Sequence, residues 1–162
     1  MDQLPPSRIL DRTNAVLNEL RVYPTWTASL ENATARTTPL LVTSIAPPPR
    51  NGAKLPDYFI VEILRGPGVS ARFAHNAETG DFLEAEAVQR ADAVLREYVD
   101  PLKHFPPQIP DPSKITPTLV WRPCIQSVTR FLPFWRLQAG GRSWYLRVDG
   151  VLFEELTVNH RG

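Results

Sequence analysis

Arg12-Thr-Asn-Ala-Val-Leu-Asn-Glu-Leu20 returns 78 residues later as Arg90-Ala-Asp-Ala-Val-Leu-Arg-Glu-Tyr98, with five of nine positions identical. At the same offset Thr38-Pro-Leu-Leu-Val42 returns as Thr116-Pro-Thr-Leu-Val120. Two matches at one offset point to an internal duplication. Further along the offset drifts: Phe59, Val61 and Ile63 align with Trp135, Leu137 and Ala139, Arg72-Phe73 with Arg147-Val148, and Gly80-Asp-Phe-Leu-Glu84 with Gly150-Val-Leu-Phe-Glu154. Two units follow from this, 1–86 and 87–162.

Each unit reads helix first. Ile9, Leu10, Val16, Leu17 and Leu20 recur at helical spacing, and Ser7 or Asp11 supplies a side-chain oxygen suited to an N-cap. In the second copy Val88, Ala91, Leu95 and Tyr98 do the same, and Pro101 limits that helix from beyond its end. Strands follow at Leu40–Ile45 and Ile115–Trp121, then at Phe59–Leu64 and Phe134–Gln138. Gly66-Pro-Gly68 and Gly140-Gly141 read as hairpin turns, because glycine reaches positive φ without steric cost. They lead into Ala71–Ala74 and Trp144–Val148. Asp149-Gly150 is a two-residue hairpin signal before Val151–Leu156, and Glu78-Thr-Gly80 serves that turn in the first copy. The expected fold class is α+β: two tandem α-β-β-β-β units, with antiparallel sheet and two helices packed on one face.

Composition fits a globular chain that can bury a core. Hydrophobic residues make up 43% and charged residues 22%. The net charge of +1 shows no basic excess, which argues against a nucleic-acid partner. No apolar run reaches the roughly 18 residues of a membrane span, and no signal-peptide pattern opens the chain. One cysteine, Cys124, rules out an intramolecular disulfide and leaves no cysteine-built zinc site. The expected compartment is cytoplasmic, with no membrane partner. Seventeen prolines, clustered at Pro47–Pro49 and from Pro106 to Pro112, mark extended connections.

Tyr58-Phe-Ile-Val-Glu-Ile-Leu64 and Arg72-Phe-Ala-His-Asn-Ala-Glu-Thr-Gly-Asp-Phe-Leu-Glu84 give a strand, an acidic glycine turn and a closing strand. With a preceding helix this resembles the cystatin-like class, and within it the PepSY-like modules, over about half the chain. The resemblance implies a binding or inhibitory module that handles peptides.

The residues supply no catalytic pattern. His75, His104 and His160 are scattered and form no H-x-x-x-H or H-x-E spacing. Cys124, with Arg122 nearby, needs an approaching histidine to act as a nucleophile. The pairs Glu84/Glu86 and Glu154/Glu155 sit where a last strand is expected. Pro67 removes a donor that a phosphate loop at Gly66–Gly68 requires. No catalytic residue, metal or cofactor is expected.

Strand alternation sorts Trp135, Leu137, Trp144, Leu146 and Val148 toward the core. The opposite, outer face then carries Tyr58, Ile60, Glu62 and Arg72 in the first unit, and Phe134, Arg136, Gln138, Tyr145 and Arg147 in the second. Aromatics and arginines are enriched in binding hot spots, so the expected partner-binding residues are Tyr58, Arg72, Phe134, Arg136, Tyr145 and Arg147. Exposed sheet edges are the second route to an extended peptide. The leading functional expectation is a non-catalytic module that binds a peptide or protein, presenting a peptide to biosynthetic enzymes. An inhibitor or immunity protein blocking a folded enzyme is the alternative. A third reading is a small-molecule-binding or enzymatic domain with a pocket lined by Trp121, Trp135 and Trp144. Homodimerisation through an edge strand is compatible with all three.

Overall fold

The computed structural model describes residues 2–45, 55–107, 109 and 111–158. Pro47–Pro49, Pro110 and His160 lie outside them. The chain divides into two compact units: Met1–Leu41 with Pro56–Arg96, and Val42–Leu55 with Glu97–Gly162. The fold is α+β, as expected. Both α-helices among the described residues, however, belong to the first unit.

Helix α1 spans Pro6–Leu20 and α2 spans Pro24–Leu30. Pro6 and Pro24 each occupy a first-turn position, where a missing N–H costs nothing and the fixed φ is already helical. The N-cap of α1 is Pro5, and no side chain caps it, so neither Ser7 nor Asp11 has the expected role. Ile9, Thr13 and Leu17, one turn apart, are the buried stripe of α1. Arg21 donates from Nε to the Leu30 carbonyl at 3.2 Å and from Nη2 to that of Ala33, covering carbonyls at the end of α2. Asn32, at φ 54°, turns the chain into a short strand.

The sheet of this unit consists of β1 (Thr34–Ala35), β3 (Tyr58–Arg65), β4 (Gly68–Asn76) and β5 (Phe82–Ala87). The strand between β1 and β3, β2 (Leu40–Ser44), runs across the boundary of the two units. β3 and β4 form a hairpin around Gly66 at φ 58°, and β5 pairs antiparallel with β4. Asn76 Oδ1 accepts from the amides of Glu78 and Thr79, which sets the β4–β5 turn. Phe59, Val61, Ile63, Ala71 and Phe73 face Ile9, Leu17 and Leu30 in one core. Trp26 of α2 packs edge-on against Phe73, with ring centres 6.3 Å apart.

His75 ties α1 to β4. Its Nδ1 lies 3.2 Å from the Gly80 carbonyl, which only accepts, so Nδ1 carries the proton. Nε2 lies 3.1 Å from the Thr13 hydroxyl, which is also 2.9 Å from the Ile9 carbonyl. In the neutral ring one hydroxyl proton therefore serves two acceptors.

In the second unit β6 (Thr118–Trp121), β7 (Phe134–Ala139), β8 (Arg142–Arg147) and β9 (Leu152–Phe153) form an antiparallel meander. Gly140 and Gly141 both adopt positive φ in the β7–β8 turn, as a two-residue hairpin of this hand requires. Thr43 and Ser44 of β2 pair parallel with Val120 and Trp121, a parallel contact within an otherwise antiparallel set.

The expected second helix over Arg90–Tyr98 is absent; this stretch is turn and extended chain. Its apolar positions are used one at a time. The Leu95 amide donates to the Val69 carbonyl at 2.7 Å, the Tyr98 hydroxyl to that of Phe131 at 2.8 Å, and the Val99 amide to that of Val148 at 2.8 Å. Val94 is 62% exposed. No continuous face is buried, so nothing offsets the entropy of winding a helix. In the second unit, Val99, Phe105, Ile109 and Ile115 pack on Leu137, Trp144 and Leu146, where a helix was expected.

Candidate functional site

The six residues expected to form an outer binding face are largely interior. Tyr58, Arg72 and Phe134 are 1%, 4% and 0% exposed, and Arg136, Tyr145 and Arg147 are half-buried. The reason lies in β3 and β4, which are buried on both faces along most of their length. Tyr58-Phe-Ile-Val-Glu-Ile-Leu64 is a nearly continuous apolar run, the mark of a strand with no wet face. In the second unit Phe134 packs with Val120, Cys124, Tyr145, Phe153 and Leu156.

Each expected arginine has its own surroundings. Arg147 donates from Nε and Nη2 to the Asp149 carboxylate at 2.8 Å each and from Nη1 to the Gln126 carbonyl, with the Phe153 ring beside it. The hydrogen bonds between them hold the Asp149 carboxyl below its ordinary range and the guanidinium above its own. Arg136 stands between Thr118 and Tyr145 in the strand register, and its buried Nε meets no acceptor. Arg147 is thus a clasp for the β8–β9 turn rather than an outward anchor.

Arg72 is the centre of a buried ionic chain. Its Nε donates to Glu62 Oε1 at 3.2 Å, its Nη1 to Glu86 Oε1 at 2.8 Å and its Nη2 to the Arg96 carbonyl at 2.5 Å. Glu62 is also paired with Arg36 at 2.9 Å. The outermost member, Glu86, is 32% exposed and lies on β5. Burial pushes its carboxyl above the ordinary value, against the hydrogen bond and charge of Arg72.

β5 is the terminal strand of its sheet, and its register decides which groups face outward. Ala71, Arg72, Phe73 and Ala74 lie opposite Ala87, Glu86, Ala85 and Glu84. The Val88 amide donates to the Ser70 carbonyl, so the even-numbered positions make the ladder bonds to β4. The N–H and C=O of Ala85 and Ala87 therefore point away from the sheet, and no bond to them is made among the described residues. Beside this edge lies a cavity of about 480 Å³ lined by Thr25, Trp26, Ala85, Glu86, Ala87, Val88 and Gln89. The methyl groups of Ala85 and Ala87 face the helices, and Glu84 and Glu86 face the other way.

The remaining candidates do not assemble a reaction centre among the described residues. Cys124 is 1% exposed, with its Sγ 3.9 Å from the Ser127 carbonyl. His104 is exposed and bonded to the Asp100 carbonyl. Trp121 donates to the Ser127 hydroxyl and Trp135 to the Val99 carbonyl. The cavity that Trp144 lines, about 330 Å³, is shared with Arg142, Ser143, Glu154 and Glu155 and includes neither of those tryptophans. Among the described residues no group of three His, Cys, Asp or Glu side chains could hold a metal ion. No helix among the described residues is long and apolar enough to cross a membrane.

The β5 edge was legible in part. Glu84 and Glu86 stood out as a pair, and edge strands were a candidate route. Trp26 was missed because α2 is a single short helix without an apolar period of its own. The chain matches no protein-family model, no curated protein and no solved structure.

Proposed function

We propose that this chain is a non-catalytic peptide- or protein-binding module that takes an extended segment of its partner onto the free edge of β5. The supporting observation is the outward pair of backbone donors and acceptors at Ala85 and Ala87, beside the cavity under Trp26. Main-chain bonds along such an edge supply affinity, and a neighbouring pocket supplies selectivity. The role is accessory: the edge holds a segment through main-chain bonds. The resemblance of β3 to β5 to PepSY-like modules points to the same kind of ligand.

The test is an amide-shift titration of isotope-labelled protein with a short blocked peptide of alternating threonine and valine. Shifts at Ala85 and Ala87 larger than at Glu84 and Glu86 are expected. Ala85→Pro removes one outward donor while leaving the ladder to β4 intact, and it should abolish the shift at Ala87. No shift along β5, or equal binding by the folded Ala85→Pro variant, would refute the proposal.

A further inference from the structure

We infer a carboxylate-binding site on one face of the β6–β8 meander, with Arg136 as its anchor and the hydroxyls of Thr118 and Tyr145 on either side. The site lies in the second unit and does not depend on the β5 reading.

Arg136 lies in β7, and the register sets it directly opposite Thr118 of β6 and Tyr145 of β8. Directly opposed residues share a face. The Arg147 amide donates to the Val151 carbonyl, so the odd-numbered residues of β8 turn their backbone groups toward β9. Arg136 and Tyr145 are therefore a non-hydrogen-bonded pair, the kind whose side chains stand closest, with α-carbons about 4.5 Å apart. A hydroxyl, a guanidinium and a phenol thus form one row of donors. None of these three polar groups makes a hydrogen bond or ion pair among the described residues.

Arg136 is half-buried, and its Nε is closed to solvent without an acceptor. Its two Nη groups are neither bonded nor closed off, so they form the reachable edge of the fork. A guanidinium that has lost part of its water and gained no counter-charge gains more from an anion than one in open solvent. Arg147, on the same face, is the contrast, because Asp149 compensates its charge. The acidic side chains beyond it, Glu154 and Glu155, line a cavity with Arg142 and not with Arg136.

The chemistry of the row selects a carboxylate. Two N–H groups of the fork match its two oxygens, and the flanking hydroxyls donate to the outer lone pairs. One cation matches one negative charge, whereas a phosphate dianion calls for a second cation, and Arg147 is already committed.

The test is a titration of the isotope-labelled full chain with sodium acetate, at an ionic strength held constant with sodium chloride. Saturable shifts at Thr118, Arg136 and Tyr145 are expected. A blocked peptide with a single glutamate and inorganic phosphate are run beside it. A peptide that binds about tenfold tighter than acetate assigns the carboxylate to a partner chain, and equal or weaker binding assigns it to a free acid. Phosphate binding as tight as acetate would overturn the carboxylate assignment. Arg136→Met keeps the unbranched stem and strands no partner. It should melt at or above the parent temperature and lose about tenfold or more in acetate affinity. Tyr145→Phe removes only an unbonded hydroxyl and should weaken acetate about threefold. The site is wrong if no saturable shift occurs, if chloride alone reproduces the shifts, or if they persist in folded Arg136→Met. An Arg136→Met variant that melts several degrees lower also overturns it, because the guanidinium then serves the fold.

Discussion

Replacing Arg72 by methionine tests whether the interior of the first unit depends on an ionic chain. The substitution keeps an unbranched side chain of similar length but removes the cation between Glu62, which is 5% exposed, and Glu86, which is 32% exposed. Losing one partner of a buried pair costs about 3–5 kcal/mol, because the remaining charge is stranded in a poor solvent. Glu62 retains Arg36 at 2.9 Å, whose side chain is 37% exposed, so the lower end, about 3 kcal/mol, is expected here. For a chain of this length that corresponds to a fall in Tm of roughly 6–12 °C. Glu62→Leu combined with Arg72→Met removes both buried charges, and it should lie within about 1 kcal/mol of the parent. The double variant should therefore be about 2 kcal/mol more stable than Arg72→Met alone. The assay is urea unfolding followed by the helical circular-dichroism signal, which comes from α1 and α2 and thus reports the first unit. A cost below about 1 kcal/mol for Arg72→Met, or a double variant as unstable as the sum of the singles, would refute the reasoning.

His75 is fully buried, and desolvation, reinforced by the charge of Arg12, lowers its pKa from 6.5 against the pull of the Gly80 carbonyl. Below pH 6.5 the unfolded chain takes up a proton that the folded ring resists, so stability falls as pH drops through that value. His75→Gln should flatten this part of the stability–pH curve; an unchanged slope would show that other groups cause it. Ala15 and Ala91 are both exposed and were expected to occupy equivalent helices. Ala15→Gly in α1 should cost about 1 kcal/mol, and Ala91→Gly less than about 0.5 kcal/mol. Equal costs in thermal melts would restore a helix at Arg90–Tyr98.

What the sequence carried was local. Turns were legible because Gly66, Gly140-Gly141 and Asp149-Gly150 meet steric demands that few other residues meet. Strand positions were legible where apolar residues alternate, and Leu137, Trp144 and Leu146 face a core as their spacing requires. The repeat, by contrast, misled. Arg90–Tyr98 shares five residues with α1, yet α1 buries Ile9, Thr13 and Leu17 as a stripe, whereas Leu95, Tyr98 and Val99 each bond to a different strand or loop. A periodic pattern becomes a helix only where something packs along its whole face, and the sequence does not say what will.

The binding residues follow the same division. Arg72 and Arg147 were expected to face a partner; that both point into ionic clasps could not be read, because the carboxylates of Glu62, Glu86 and Asp149 reach them only in the folded ladder. The sequence by itself determined the α+β class, the hairpins and the acidic alternation of β5. The tertiary structure decided which strand ends its sheet, which backbone groups it leaves open and which side chains line the cavity beside it. Those properties depend on strand order and register, which arise from contacts between residues far apart in the chain and leave no local spacing to read.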